Sequence, residues 1–438
     1  MASAALLSSV ALAGTLLAYF RIPPVSARTV WAEDGALFLQ EYLDQGPALL
    51  APYSGYLHLL PRLIVAFVAP LFGLEAYAIA ITVACSIVLG LIAALTFYCA
   101  SELTASVAVR LGWASIPVLV APGALETLGN VANLHWYLLW LAPWVLMKSP
   151  PALGQQILLG MASLIIALSE IQAVLFLPLV LWRWRDRRLW WAKTAFLAGA
   201  ICQLASFWLF PRGQGGTGES GDAASVIYGY FLNSSAAIAY GSSAAIIDHV
   251  QTFGMAPISL SAVPFAVVAV LLVLRSSRIQ RMTGIIWILS SGAVWTAAVV
   301  INPAPYFHYS KFGAPGDWED FFLSRYSTVP SMFLLALIPL LASVLPARPR
   351  HSPPDTPAAL PLAALPKGLP LRSGLMGVFL VLQTVYFFPF DDVRSAGPEW
   401  SVGVNDARLA CRADPMLESI NVPQAPAGWN TTLRCTDL

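Results

Sequence analysis

Charged residues are scarce in this chain, and their scarcity excludes most classes of soluble protein. Asp, Glu, Lys and Arg make up 11% of the 438 residues, whereas hydrophobic residues make up 58%. Ordinary soluble domains contain about 25% charged and about 45–50% apolar residues. Several apolar runs approach or exceed the ~20 residues that a helix needs to cross a bilayer. The composition therefore predicts a multi-pass protein of the cell membrane. The net charge of +1 gives no sign of a nucleic-acid partner.

The chain also lacks the short motifs that mark several classes of enzyme. It contains no Gly-rich phosphate loop, no His-Glu-x-x-His, no Cys-x-x-Cys and no nucleophile elbow. The glycine-rich stretch "RGQGGTGESG" (212–221) lacks the Lys-Ser/Thr of a phosphate loop and is interpreted as a flexible outer loop. No bound cofactor is expected from these patterns.

Cysteine is rare, with five residues in the chain. Cys85, Cys99 and Cys202 lie in apolar runs, where a small buried side chain is the simplest interpretation. Cys411 and Cys435 lie in a polar tail. We expect a disulfide between these two if the tail faces an oxidising compartment.

Basic clusters predict how the chain threads the membrane, because Lys and Arg of short loops stay on the cytoplasmic side. Three such clusters occur at 183–188 ("RWRDRR"), 275–281 ("RSSRIQR") and 347–372. Two pairs of apolar runs separate them, 190–210 with 257–274 and 284–301 with 327–345, so all three clusters fall on one side. This threading predicts an all-α polytopic fold with about eleven transmembrane helices by helix length. Residues 1–390 would form the membrane domain, with a Pro-rich cytoplasmic loop at 345–372, and residues 391–438 a small extracytoplasmic segment.

The first half of the chain leaves its threading open. "MASAALLSSVALAGTLLAYF" has no Lys or Arg before its apolar run, which favours a retained first helix over a cleaved signal. Residues 57–72 either cross the membrane or lie in its outer interface, with 76–99 as the second span. The second interpretation is preferred, because it puts Arg110 and Lys148 in the cytoplasm. It also places "ETLGNVANLHWY" (126–137) outside, on the same side as the loop after the first helix.

Four carboxylates crowd into that first loop, "WAEDGALFLQEYLDQG" (31–46): Glu33, Asp34, Glu41 and Asp44. Acids beside lipid are disfavoured unless they are paired, solvated or used. Other polar side chains are predicted on the same side of the membrane. The candidate binding residues among them are His58, Arg62, Asn130, Asn133, His135, Trp136 and Arg325. A carboxylate can deprotonate a hydroxyl group and arginines can neutralise a departing phosphate, as transfer of a sugar from a lipid phosphate requires.

This arrangement resembles the GT-C superfamily of integral membrane glycosyltransferases. "WAEDG" stands where that family has its first acidic loop, and "GYLHLLPRLIVAFVAPLFGLEAYAIA" is similar to its juxtamembrane segment. "ETLGNVANLHWYLLW" takes the place of its second polar turn. The resemblance implies a polyprenyl-phosphate-linked sugar as donor and a glycan or lipid as acceptor. Asp34, or Glu33, would be the catalytic base, and Arg62 and Arg325 would face the phosphate.

The chain departs from the family at the second turn, where many members carry a carboxylate. Asparagines and His135 dominate here, with Glu126 nearby. A metal site is therefore not predicted, because hard cations need several oxygen ligands from carboxylates.

Two other functional classes of membrane protein remain open. One is a transporter or flippase of lipid-linked or polar substrates, which would place ionisable residues inside its spans. The other is a membrane assembly partner without catalytic activity.

Overall fold

The structure is a computed structural model that describes residues 4–211, 221–345, 371–389 and 392–438. The Pro-rich loop predicted at 345–372 lies outside the described residues from 346 to 370, and most of the glycine-rich stretch at 212–221 does so too. Its α-helices are α1 Ala4–Arg21, α2 Pro24–Ala27, α3 Gln40–Gln45, α4 Leu59–Phe72, α5 Tyr77–Cys99, α6 Val107–Leu119, α7 Leu134–Met147, α8 Leu153–Ser169, α9 Trp190–Leu209, α10 Ala223–Phe231, α11 Ala237–Tyr240, α12 Ser243–Phe253, α13 Ala256–Arg275, α14 Arg278–Ile301, α15 Thr328–Val344, α16 Leu371–Val385 and α17 Trp400–Ala413.

Shorter elements join these helices. The π-helical segments are Asp34–Leu39 and Leu232–Ala236. The 3₁₀-helices are Ala100–Glu102, Ala121–Ala124, Ile171–Leu181, Arg187–Leu189, Pro305–Phe307, Tyr309–Lys311, Pro315–Asp320, Arg325–Ser327, Val393–Ala396 and Cys435–Asp437. The strands are β1 Pro52–Tyr53, β2 Tyr56–Leu57, β3 Ser419–Pro423 and β4 Asn430–Arg434. They form two antiparallel hairpins, in which Tyr53 pairs with Tyr56 and Asn421 with Thr432.

Several helices have the length and composition of membrane spans, as the apolar composition predicts. Within the described ranges, seven segments qualify by these criteria: Ala4–Arg21, Tyr77–Glu102, Val107–Ala124, Arg187–Leu209, Ala256–Arg275, Arg278–Ile301 and Arg325–Val344. The remaining apolar helices are shorter: Leu59–Phe72, Leu134–Met147, Leu153–Ser169, Ile171–Leu181 and Leu371–Val385. The 14 residues of α4 rise about 21 Å, short of a hydrocarbon core of about 30 Å. The predicted count of eleven would require some of these shorter helices to cross the membrane as well, and it stays a prediction.

Helices α7 and α15 form the centre of the protein. Every residue of α7 is buried, and α15 is buried from Thr328 to Ala342. A cluster of indole rings fills the space beside them, with the ring centroids of Trp144 and Trp287 5.1 Å apart and those of Trp113 and Trp144 5.4 Å apart. Because packed interiors resist displacement, this core holds the N-terminal turn of α7 in place.

Helix α1 packs closely along α5 through small residues. A Cβ atom on Gly90 would overlap the carbonyl oxygen of Ala11 and the hydroxyl of Thr15. Close approach of backbones at small residues is a common way for apolar helices to associate, because it increases van der Waals contact. This contact fixes the C-terminal end of α1, from which the acidic first loop departs.

The tail after residue 392 is joined to the first loop at several points. Arg394 is buried and donates hydrogen bonds to the carbonyl oxygens of Thr29 (2.7 Å) and Leu128 (3.1 Å). The backbone N–H of Ala32 donates to Ala425 O at 2.6 Å, and Ala425 N–H donates to Val30 O at 3.0 Å. A disulfide joins Cys411, in α17, to Cys435 after β4. The tail is therefore part of the same body as the first loop.

Candidate functional site

The adjacent carboxylates Glu33 and Asp34 have different surroundings. Asp34 is 1% exposed, and its two carboxylate oxygens accept hydrogen bonds from the backbone N–H groups of Val131 (3.0 Å) and Ala132 (2.9 Å). Glu33 instead lines a cavity. Neighbours on a helical backbone point in different directions, so this divergence follows from the local geometry. Asp34 connects the first loop to the second polar turn, and Glu33 presents its carboxylate to the cavity.

Burial dominates the electrostatics of Asp34. It raises the pKa of this carboxyl group to about 7, because a charge is poorly solvated inside the protein. The N–H group of Ala132, the positive charge of Arg394 and the N–H group of Val131 act in the opposite direction. Asp34 therefore releases its proton near neutral pH rather than in acid.

Glu33 faces a polar cavity of about 190 Å³, which we call the polar chamber. The first loop, the β1–β2 hairpin, the second turn and the segments after α8 and α14 contribute its walls. Its ionisable and polar lining residues are Glu33, Tyr53, Ser54, Tyr56, His58, Asn133, His135, Trp136, Glu170, Gln172, Asn302, Arg325 and Tyr326. Segments far apart in sequence thus place proton acceptors, amide groups and a cation around one small space.

Four buried polar atoms of the polar chamber have no hydrogen-bond partner among the described residues. They are Glu33 Oε2, His58 Nδ1, Asn133 Nδ2 and Gln172 Oε1. Leaving a buried donor or acceptor unsatisfied costs about 1–3 kcal/mol, and native proteins contain few such groups. Their convergence on one cavity makes this cavity a candidate binding site for a polar molecule. Both donors and acceptors are present, as a ligand with several hydroxyl groups requires.

His135 and Glu170 form a buried pair on one wall of the polar chamber. His135 Nδ1 contacts Glu170 Oε2, and the other carboxylate oxygen accepts a hydrogen bond from the backbone N–H of Gln172 at 2.7 Å. A neutral imidazole held by a carboxylate at Nδ1 carries its proton there, so that Nε2 can accept a hydrogen bond. The carboxylate thereby orients His135.

Glu170 and Gln172 line the polar chamber but are not among the binding residues predicted from the sequence. The sequence does carry a signal for Glu170, because it is the only charged residue between Lys148 and Arg183. An ionisable residue isolated in an apolar stretch is a functional candidate by default. For Gln172 the sequence offers no comparable signal, since uncharged amides occur throughout the chain.

His58 stands against the aromatic side of the polar chamber. Its ring lies 4.1 Å from that of Tyr56 between centroids, and one ring nitrogen, Nε2, is 3.3 Å from Tyr53 O. Burial lowers the pKa of His58 to about 3, and the nearby side chains of His135 and Arg62 act in the same direction. His58 is therefore neutral at physiological pH and acts through hydrogen bonding rather than through charge.

The two predicted phosphate-binding arginines differ in position. Arg62 is 5% exposed, pairs with Glu41 and lies over the ring of Phe38, with 5.6 Å between its guanidinium carbon and the ring centroid. It is not among the residues that line the polar chamber. Arg325 does line it, and pairs with Glu126 at 3.2 Å between Nη1 and Oε1. The structure thus brings Arg325, and not Arg62, to the cavity wall.

The second polar turn is organised by its asparagines. Asn130 Nδ2 donates to Glu126 O at 2.7 Å, and Asn130 Oδ1 accepts from the backbone N–H of Asn133 at 3.0 Å. Asn133 Oδ1 in turn accepts from Trp136 Nε1 at 3.2 Å. Asn130 therefore supports the turn, whereas Asn133 and Trp136 reach the polar chamber.

A second cavity of about 610 Å³ adjoins the first, and we call it the indole chamber. Its lining is Trp31, Ala32, Glu33, Leu125, Glu126, Ser243, Phe322, Leu323, Arg325, Val393, Pro426 and Trp429. Glu33 and Arg325 line both chambers. The two cavities thus meet at one carboxylate and one guanidinium group.

Gly35 lets the tail pack closely against the first loop, beside the indole chamber. A Cβ atom at this position would overlap the side chains of Gln424 and Thr431. Gln424 Nε2 donates to Ala32 O at 2.5 Å, and Thr431 Oγ1 donates to Gln424 Oε1 at 2.8 Å. Only a residue without a side chain allows this approach of the tail to the loop.

Within residues 4–211, 221–345, 371–389 and 392–438, no group of three or more His, Cys, Asp or Glu side chains could hold a metal ion.

Comparison with models of protein families, with curated proteins and with solved structures finds no match for this chain.

Proposed function

We propose that this protein is a membrane glycosyltransferase that moves a sugar from a polyprenyl-phosphate donor to an acceptor at the extracytoplasmic face. Four polar atoms around the polar chamber that have no hydrogen-bond partner among the described residues carry the proposal, because a sugar supplies hydroxyl groups for all of them. Arg325 at the edge of the chamber supplies a cation for the phosphate group. The resemblance to the GT-C superfamily points to the same substrate class.

The proposed topology has about eleven spans, with the first loop, the second turn and the tail outside the cytoplasm. The disulfide between Cys411 and Cys435 supports it, because disulfides persist in oxidising compartments. The short helix α4 would lie in the outer interface. Its exposed side chains Leu63, Phe67 and Leu71 are apolar, as a surface in contact with lipid requires.

The reaction breaks the bond between the anomeric carbon and the phosphate oxygen, whose electron pair stays on the phosphate. The acceptor hydroxyl oxygen forms the new bond to the anomeric carbon. Its proton passes to a first-loop carboxylate, and the products are a glycoside and polyprenyl phosphate. We assign this role to Glu33, because it reaches both chambers, whereas the oxygens of Asp34 are occupied by Val131 and Ala132. Arg325 stabilises the negative charge that develops on the phosphate.

The test uses the purified protein in lipid nanodiscs with a panel of radiolabelled polyprenyl-phosphate monosaccharides as donors and simple glycosides as acceptors. Release of free polyprenyl phosphate is measured for the wild type and for Glu33→Gln. The variant should lose about 10²–10⁴-fold in rate, the usual contribution of general-base catalysis. Asp44→Asn, an exposed carboxylate of the same loop, is the matched control and should keep the wild-type rate.

Two further variants distinguish the role of Arg325 from that of Arg62. Arg325→Gln should raise the KM for the donor, because the phosphate loses its cation. Arg62→Gln should lower thermal stability by unpairing Glu41, with the donor KM close to that of the wild type. In liposomes that contain the protein, movement of the labelled lipid across the bilayer that survives Glu33→Gln, without any release of polyprenyl phosphate, would replace the transferase by a flippase.

A further inference from the structure

The indole chamber is placed to hold the second substrate of a transfer reaction. It meets the polar chamber at Glu33 and Arg325, and these are the groups assigned to the acceptor proton and the donor phosphate. A molecule in the indole chamber can therefore present a hydroxyl group to Glu33 while a sugar occupies the polar chamber. The inference rests on the proposed function for the identity of the reaction, and on geometry for the site.

The walls of the indole chamber suit a ring with both an apolar face and polar edges. Two indole side chains, Trp31 and Trp429, provide broad apolar surfaces. Trp31 is 4% exposed, and its Nε1 has no hydrogen-bond partner in the part of the chain that the structure describes. An indole N–H is a donor only, and buried donors are normally satisfied. The chamber thus combines stacking surfaces with an unsatisfied donor.

The position of the indole chamber favours the acceptor, rather than the lipid tail of the donor, as its occupant. All of its lining residues except Arg325 lie outside the helical segments of membrane-spanning length in the described chain. Arg325 is the first residue of such a segment. One wall comes from Pro426 and Trp429 of the disulfide-bonded tail. An isoprenoid chain is more stable in the bilayer than among extramembrane segments, because transfer of apolar surface to water is unfavourable.

We propose that the indole chamber binds the acceptor, and that this acceptor is the terminal sugar residue of a glycan. The C–H face of its ring lies against Trp31 and Trp429, one ring hydroxyl accepts a hydrogen bond from Trp31 Nε1, and another donates to Glu33. The neighbouring Glu126–Arg325 pair borders the same space and holds Arg325 in position.

Photoaffinity labelling tests the site directly. The full-length protein in nanodiscs is labelled with p-azidophenyl glycosides of several monosaccharides, and the modified peptides are mapped by mass spectrometry. Labelling should fall on peptides that contain Trp31 or Trp429. Trp429→Ala should reduce it about tenfold and Trp429→Phe less, since an aromatic contact contributes on the order of a factor of ten in affinity. Trp208→Ala removes an indole that is 78% exposed on α9, and should leave labelling unchanged.

Enzyme kinetics and a lipid probe complete the test. With a donor from the monosaccharide panel, Trp429→Ala should raise the KM for the glycoside acceptor more than the KM for the donor. The proposal is overturned if glycoside labelling is the same in Trp429→Ala as in the wild type. It is also overturned if a photoreactive polyprenyl phosphate labels the Trp429 peptide and Trp429→Ala abolishes that labelling. Absence of donor turnover by the wild type, with glycoside labelling retained at Trp429, would support the binding site and remove only the transferase assignment.

Discussion

At the scale of single residues, the two adjacent carboxylates of the first loop have different surroundings. Asp34 has both oxygens engaged by the second turn, while Glu33 keeps an unpartnered oxygen in the polar chamber, judged over the described residues. A sequence pattern marks such a pair as unusual but cannot assign the roles. The direction of each side chain depends on the π-helical turn that begins at Asp34.

The raised pKa of Asp34 predicts a dependence of stability on pH. The folded chain keeps a proton on Asp34 up to about pH 7, whereas an unfolded chain releases it near its ordinary value of 3.8. The free energy of unfolding should therefore decrease as the pH rises between these two values, and level off above about pH 7. Thermal unfolding of the detergent-solubilised protein, followed from pH 4.5 to pH 8, measures this slope.

Asp34→Asn should remove that part of the slope, because an amide does not titrate. It should also lower stability at all pH values, since its NH₂ group faces an N–H donor of the second turn. Asp44→Asn is the control for the loss of a carboxylate and should keep the wild-type slope. Equal slopes in the wild type and in Asp34→Asn would contradict the assignment.

Site residues differ in how far the sequence alone could identify them. Glu33, Asn133, His135 and Trp136 stand out as polar groups beside apolar runs, and the structure places them around one cavity. Arg62 stands out equally, yet it pairs with Glu41, a partner 21 positions earlier in the chain. Contacts at that separation depend on how the first loop folds back onto α4, which local patterns do not encode.

At the scale of secondary-structure elements, the apolar runs predict the helices well, while membrane depth is harder to infer. The runs at 190–210, 257–274, 284–301 and 327–345 coincide closely with Trp190–Leu209, Ala256–Arg275, Arg278–Ile301 and Thr328–Val344. Hydropathy identifies them because each is apolar on all sides. By contrast, 57–72 contains both a buried and an exposed face, so composition could not decide between a span and an interfacial helix.

The contact between the first loop and the tail is a second feature of the packing between elements. A substitution at Gly35 tests it. Gly35→Ala places a methyl group where the side chains of Gln424 and Thr431 lie, so these side chains must shift and the packing of the tail against the loop is weakened. We expect a lower melting temperature and faster proteolysis of the tail. Gly154→Ala, at a position where an added Cβ meets nothing within 4 Å, should leave both unchanged. Unaltered proteolysis in Gly35→Ala would show that this contact tolerates displacement.

At the scale of the whole molecule, the distribution of basic residues predicts the orientation of the chain. Arg185 lies in the basic loop "RWRDRR" and Asp44 in the acidic first loop, and both are exposed. In intact cells, a membrane-impermeant maleimide should label Asp44→Cys and leave Arg185→Cys unlabelled until the membrane is permeabilised. Labelling of both, or of Arg185→Cys alone, would contradict the proposed topology.

The way in which distant segments come together in the whole molecule is the hardest feature to predict from the sequence. Clusters of arginine and the cysteine pair predict which segments lie on each face of the membrane, because both depend on the chemistry of a compartment. The convergence of the first loop, the second turn and the tail on two connected cavities reflects packing between distant segments. Trp31 and Trp429 lie almost 400 positions apart, and no periodicity relates them.

Burial of Arg394 against Thr29 and Leu128 has a consequence for biogenesis. Residues near position 30 leave the ribosome long before those near 394 and 425, so the first loop waits through most of the synthesis with its eventual partners missing. A half-made protein therefore lacks the wall of the indole chamber that Val393, Pro426 and Trp429 provide, so this cavity closes only after the tail has been made.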